Sequence, residues 1–240
     1  MPYILAPTIR KNMPGLWREG APYSSEVIYD ICSTDAQSPP VHYESHLIKP
    51  HSICHYDAPG HVLPGGETID QLLEGKPAIF FGPTLVVRLK SPRFLPANTT
   101  GGISHWLVGK EDLRSAIAKL TPNHHPEKVF LTFENAPRDF YASNEQAITL
   151  SLEAVEWLTS EPSFNLFGTV WKSTDFQPGS RERPIHRTLF RQAGIIECLD
   201  LTGVPEGQYF LSAFPIPLAG ATESPVCPVL FRADELRAGL

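Results

Sequence analysis

The chain has 240 residues, 42% of them hydrophobic, with 20 basic residues against 26 acidic ones and a formal net charge of −6. That length buries a full core in one domain spanning 1–240, and the scattered basic residues form no stripe along a phosphate backbone, which excludes nucleic acid as a partner. No apolar stretch nears the roughly 20 residues of a membrane span, and the N-terminus lacks the charged head and apolar run of a signal peptide, so a soluble, cytoplasmic protein is expected.

The first informative stretch is His51-Ser-Ile-Cys-His55-Tyr-Asp57-Ala-Pro-Gly-His61. A lone His or Asp is more often a solvated surface residue, or one side of a helix face, than a ligand. Here several imidazoles and a carboxylate crowd around an Ala-Pro-Gly turn, and such donors together bind a first-row metal. Lys49-Pro50 and Pro59-Gly60 oppose a helix, so a loop is predicted. Cys32, Cys54, Cys198 and Cys227 form no CxxC pair and read as free thiols in a reducing compartment. Cys54 reads as a small thiol filling space beside the site, with a soft thiolate ligand as the alternative.

Further along, Thr84–Leu89, Val129–Phe133 and Leu166–Trp171 are short runs rich in β-branched and aromatic residues, and each predicts a strand. Glu111–Leu120 opens with acids and stops before Pro122, which predicts a helix. Leu152, Val155 and Leu158 share the face of another, capped by Ser151 and ended by Glu161-Pro162. Strands alternating with helices give an α/β domain.

The second informative stretch runs from His186 to Glu197. His186–Ala193 reads as two helical turns, Gly194 as their stop, and Ile195-Ile196-Glu197 as the start of a strand. Eight helical residues climb about 12 Å, and three or four extended ones return roughly 10 to 13 Å. If the strand runs back antiparallel, His186 and Glu197 end near one another.

Together these stretches resemble the cyclase superfamily of metal-dependent hydrolases, which includes bacterial kynurenine formamidases and isatin hydrolases. The family's His-x-Gly-Thr-His-x-Asp-x-Pro-x-His pattern is matched by His51, His55, Asp57, Pro59 and His61. The likeness continues through Gly65-Gly66-Glu-Thr-Ile-Asp70, Leu85–Val87, Leu150–Trp157, Thr174-Asp175, the His186 helix, Ile196-Glu197 and Ser224-Pro225-Val226. Met13-Pro14-Gly-Leu-Trp17 is similar to the family's Met-Pro-aromatic loop.

The resemblance implies a mixed-sheet swivelling β/α fold that binds one or two divalent ions, zinc or manganese. His51, His55 and Asp57 would hold the first ion, and Asp57, His186 and Glu197 the second, with His61 as catalytic acid or base. It also implies hydrolysis of a C–N bond in an amide, aryl formamide or cyclic amide, by a homodimer or homotetramer acting on a small molecule. Cyclisation or dehydration, or a non-catalytic binding role, are the rival readings.

This chain departs from the family pattern in three places. Ile53-Cys54 stands where Gly-Thr is usual, Cys227 where the family carries Arg, and the His186 to Glu197 spacing is one residue shorter. Trp17, Tyr23 and Tyr56 are candidates to line an aryl slot, and Ile53 and Cys54 to set substrate shape.

Overall fold

The computed structural model describes residues 1–35, 37–96, 102–136, 146–176 and 181–237. Its first strands are β1 (Tyr3–Ile4), β2 (Tyr23–Tyr29), β3 (Tyr43–Ile48) and β4 (His55–Asp57), followed by helix α1 (Ile69–Gly75). Then come β5 (Phe81–Leu89), β6 (Leu95–Pro96), β7 (Ser104–Val108), α2 (Lys110–Leu120), β8 (Lys128–Phe133), β9 (Gln146–Leu150) and α3 (Leu152–Leu158). The last third holds β10 (Leu166–Thr169), α4 (Pro184–Leu189), β11 (Gly194–Glu197), β12 (Gly207–Ser212), β13 (Glu223–Pro225), β14 (Val229–Phe231) and α5 (Ala233–Arg237).

Nine strands form one mixed sheet in the order β1-β14-β12-β5-β8-β10-β11-β4-β13. Its centre, β5-β8-β10-β11, is parallel. Strands buried on both faces read as continuous apolar runs, which is why every residue of β8 and β10 is buried. Helices α2, α3 and α4 lie in the connections between these parallel strands and bury Leu113 and Ile117, Val155 and Leu158, and Ile185 and Leu189 respectively. Ser151 caps α3, its Oγ accepting from the Ala154 N–H at 3.2 Å. The strands β6-β7-β9 make a second, small sheet, and among the described residues β2 and β3 pair only with each other.

Most predicted elements appear with shifted ends, and two expectations are corrected. The 51–61 segment is not a loop throughout: β4 occupies its centre, between single turns of 3₁₀ helix at Pro50–Ser52 and Pro59–His61. The helix expected over His186–Ala193 is α4, ending at Leu189, and Gly194 is the first residue of β11 instead of a helix stop. Glycine is required there because a Cβ would lie 1.9 Å from the Tyr56 hydroxyl.

Position in the sheet explains the site. β4 is antiparallel to β11 on one side and to β13 on the other. Glu197 therefore pairs with His55, and Glu223 with Asp57. Side chains alternate along a strand and directly opposed residues share a face. One face of three neighbouring strands thus carries His55, Asp57, Glu197 and Glu223, while Tyr56 points to the other.

Candidate metal centre

His55, Asp57 and Glu197 are almost completely buried, at 0%, 1% and 3% exposure, and α4 brings in His186 at 1%. His55 Nε2 lies 3.4 Å from Asp57 Oδ1 and 3.8 Å from Glu197 Oε2. His186 Nε2 lies 3.8 Å from Asp57 Oδ2 and 3.4 Å from Glu197 Oε1. His51 and His61, on the two 3₁₀ turns, bring their Nε2 atoms within 3.4 Å of each other.

Each of the four rings directs Nδ1 to an oxygen. His55 Nδ1–H donates to the Ile53 carbonyl at 2.8 Å, and His186 Nδ1–H to Asp175 Oδ2 at 2.6 Å. His51 Nδ1 and His61 Nδ1 lie 3.3 and 3.1 Å from the two oxygens of Glu223. A proton held on Nδ1 leaves the Nε2 lone pair facing inward, the tautomer a metal ligand needs. Asp175 is itself fixed by the Ile185 and His186 N–H groups, each at 3.1 Å, and Glu197 accepts from the Thr174 N–H at 2.5 Å.

Among the described residues, no hydrogen-bond donor reaches the middle of this cluster. His55 Nε2 and both oxygens of Asp57 are buried without a hydrogen-bond partner. A buried carboxylate in that condition is costly unless a cation neutralises it. Imidazole nitrogens with carboxylate oxygens suit zinc or manganese, so the residues fit a divalent ion. Two groups of ligand atoms satisfy the spacing: His51, Asp57, His61 and Glu223, and His55, Asp57 and Glu197. Asp57 belongs to both.

The charges act in concert. Burial alone would depress the His55 and His186 imidazoles. The charge of Asp57 on the first, and the Asp175 hydrogen bond together with Asp57 and Glu197 on the second, outweigh it and hold both well above the ordinary range. Asp57 is held well below the usual carboxylate range: burial opposes this, but His55 and His186 prevail. Glu223 is drawn down to about 2 by its contacts with His51 and His61.

The structure thus brings together all six expected site residues, His51, His55, Asp57, His61, His186 and Glu197, with His186 beside Asp57 and Glu197. His55 sits with Asp57 and Glu197, and His61 with His51. It also adds two acids to which the sequence assigned no role. Glu223 directly precedes the family-like stretch Ser224-Pro225-Val226 and is far from the histidines in sequence, while Asp175 belongs to the family-like pair Thr174-Asp175, 11 residues before His186.

The aromatic expectations divide. Trp17 Nε1–H donates to the His51 carbonyl at 3.1 Å, and Trp17 lines a cavity of about 420 Å³ with His51, Glu223, Glu19 and Lys49. Tyr56 is not in the slot: it is 0% exposed, with its ring on Phe80 and on Gly194. Tyr23 stacks on His46 at the base of the β2–β3 ribbon. Ile53 and Cys54, each 3% exposed, line an apolar groove whose walls include none of the six site residues. Ile53 serves the centre through its carbonyl oxygen, which any residue type provides.

A buried carboxylate shared between two rings of inward-facing imidazole nitrogens, at the edge of a mixed sheet, defines a metal-binding α/β protein. The chain belongs to the putative cyclase family, whose model matches residues 5–175. It is 30% identical to the kynurenine formamidase of Bordetella petrii over 194 residues, 80% of this chain and 81% of that one. The kynurenine formamidase of Paracidovorax citrulli is 29% identical over 211 residues, 87% of each chain. Among solved structures, isatin hydrolase A from Ralstonia solanacearum superposes with a TM-score of 0.70 at 21% identity, covering 97% of this chain and 92% of that one. A predicted metal-dependent hydrolase from Bacillus stearothermophilus gives 0.67 at 21% identity, covering 96% and 97%.

Proposed function

We propose that this chain, folded as a single domain, is a metal-dependent amidohydrolase that adds water across the C–N bond of an amide, aryl formamide or cyclic amide. The observation that carries the reading is the donor-free interior of the cluster, where both oxygens of a fully buried Asp57 lack a hydrogen-bond partner. Kinship to kynurenine formamidases supports the reaction class. One or two divalent ions, zinc or manganese, would be held by His51, His55, Asp57, His186 and Glu197; when bound they supply Lewis acidity at the carbonyl and a more acidic water.

The protein's own groups do the rest. The cavity beside Trp17 admits a small planar substrate with its carbonyl toward His51. His61, held through Nδ1 by Glu223 and with Nε2 3.4 Å from His51 Nε2, would take a proton on Nε2 from water as its oxygen adds to the carbonyl carbon. The same Nε2 then passes that proton to the nitrogen as the C–N bond breaks, leaving a carboxylic acid and an amine. The free cysteines suit a reducing, cytoplasmic setting. No helix among the described residues is long and apolar enough to cross a membrane.

Reconstitution with zinc or manganese and mass analysis of the products from a panel of aryl formamides and cyclic amides tests this. Products heavier than substrate by one water are expected. Products lighter by one water would replace hydrolysis with dehydration.

A further inference from the structure

The cavity wall that carries Trp17 belongs to no helix or strand, so side-chain tethers must hold it. Residues 15–20 fold back on themselves: a Cβ on Gly15 would lie 2.1 Å from the Gly20 carbonyl oxygen, so only glycine fits at the neck. Trp17 lies within this loop, between the buried Leu16 and the exposed Arg18. Lys172 Nζ donates to the Leu16 carbonyl at 2.7 Å and sits 4.3 Å from the centre of the Trp17 ring. Met13 and Leu16 pack on Cys198, the residue after Glu197.

Ser52 joins the loop to the metal centre. It directly follows His51, is 1% exposed, and uses its hydroxyl both as acceptor and as donor. The Oγ accepts from the Leu16 N–H at 2.8 Å, and the O–H donates to Glu19 Oε1. Lys49 Nζ donates to the Glu19 carbonyl, and Trp17 Nε1–H meets the His51 carbonyl at 3.1 Å. One buried hydroxyl thus grips the loop on both sides of the indole, next in sequence to a residue of the metal centre. Its removal would leave a buried N–H without a partner, which costs more than the bond itself contributes.

We infer that Ser52 is a positioning residue, which holds Trp17 in place as a wall of the substrate cavity that His51 and Glu223 also line. It touches neither substrate nor metal and acts through the loop. A wall ordered before substrate arrives spares the entropy of ordering it on binding, and the gain appears as affinity. The substrate role rests on the amidohydrolase reading above; the tether itself does not.

Two measurements on the zinc-loaded protein compare wild type with Ser52→Ala and with Ser52→Thr, which keeps the hydroxyl. Trypsin cuts the Arg18–Glu19 bond when the loop opens, so cleavage there, followed by mass, should quicken several-fold in Ser52→Ala and return toward the wild-type rate in Ser52→Thr. On an aryl formamide, Ser52→Ala should raise KM about tenfold with kcat and zinc content unchanged, the pattern of lost ground-state binding. Unchanged cleavage would overturn the tether. Faster cleavage with unchanged KM would overturn the role in substrate binding, and loss of zinc would mean that Ser52 serves His51 and not the loop. A wild type inactive toward every amide tested would remove the hydrolase reading and the substrate role with it, whereas the cleavage rates still decide the tether. Should Ser52→Ala fail to fold, Glu19→Ala removes the other end of the same hydrogen bond, and the same two measurements decide.

Discussion

His55 Nε2 and Asp57 Oδ1 stand 3.4 Å apart on one face of β4, both in fully buried residues and neither in a hydrogen bond. Two residues apart on a strand, they must project to the same side, and Glu197 and Glu223 face them from the neighbouring strands. Asp57 and Glu197 share that enclosure with His55 and His186, and two buried carboxylates are in balance only with added positive charge. Protons or metal ions provide it, and the two compete.

That competition fixes the pH dependence of metal binding. The charges around His55 and His186 raise both above the ordinary imidazole range in the metal-free protein, so protons and a metal ion compete for the same nitrogens. A metal needs their neutral form. Binding should therefore release protons, strengthen as pH rises and weaken as it falls. Calorimetric titration with zinc at neutral pH, in two buffers of different protonation enthalpy, should show at least one proton released per chain, and none released would refute the charge balance described.

Asp57→Ala and His61→Ala should separate binding from proton transfer. Loss of Asp57 removes the carboxylate common to both ligand groups and should abolish metal occupancy and turnover together. His61→Ala should keep the buried ion and lower kcat by about 10²- to 10⁴-fold. If elemental analysis finds His61→Ala emptied of metal, His61 is a ligand, as its place beside His51 and Glu223 permits.

Asp175 acts on the centre through His186. Asp175→Asn keeps the size of the side chain but removes the charge that supports the Nε2 lone pair. Metal affinity should fall about 10- to 100-fold with the fold intact. Competition against a chromophoric chelator measures it, and an unchanged affinity would mean that the 2.6 Å contact only packs the ring.

Gly194→Ala tests the packing beneath the site. Its methyl would lie 1.9 Å from the Tyr56 Oη and 2.4 Å from Cζ. Overpacking of this kind costs about 1–3 kcal/mol, read as a lower urea midpoint. Tyr56→Phe in the same chain should restore part of it, because the nearest atom is a buried hydroxyl without a partner. A midpoint unmoved by Gly194→Ala would show that the strands separate freely there.

The sequence by itself determined what its local patterns encode. Offsets along the chain disclosed His51, His55, Asp57 and His61 as a group, and the alternation of β-rich and helical runs showed an α/β fold, because both signals depend on near neighbours. Likeness to the family added His186 and Glu197. Tertiary structure decided what depends on register between strands far apart in the chain. It placed Glu223 across from Asp57 and turned Tyr56 into the core against Gly194. A side-chain period of two means that one position along β4 separates a residue facing the centre from one packed behind it. That is why Tyr56, flanked by two candidate ligands, belongs to the core, while Glu223, 166 residues past Asp57, belongs to the site.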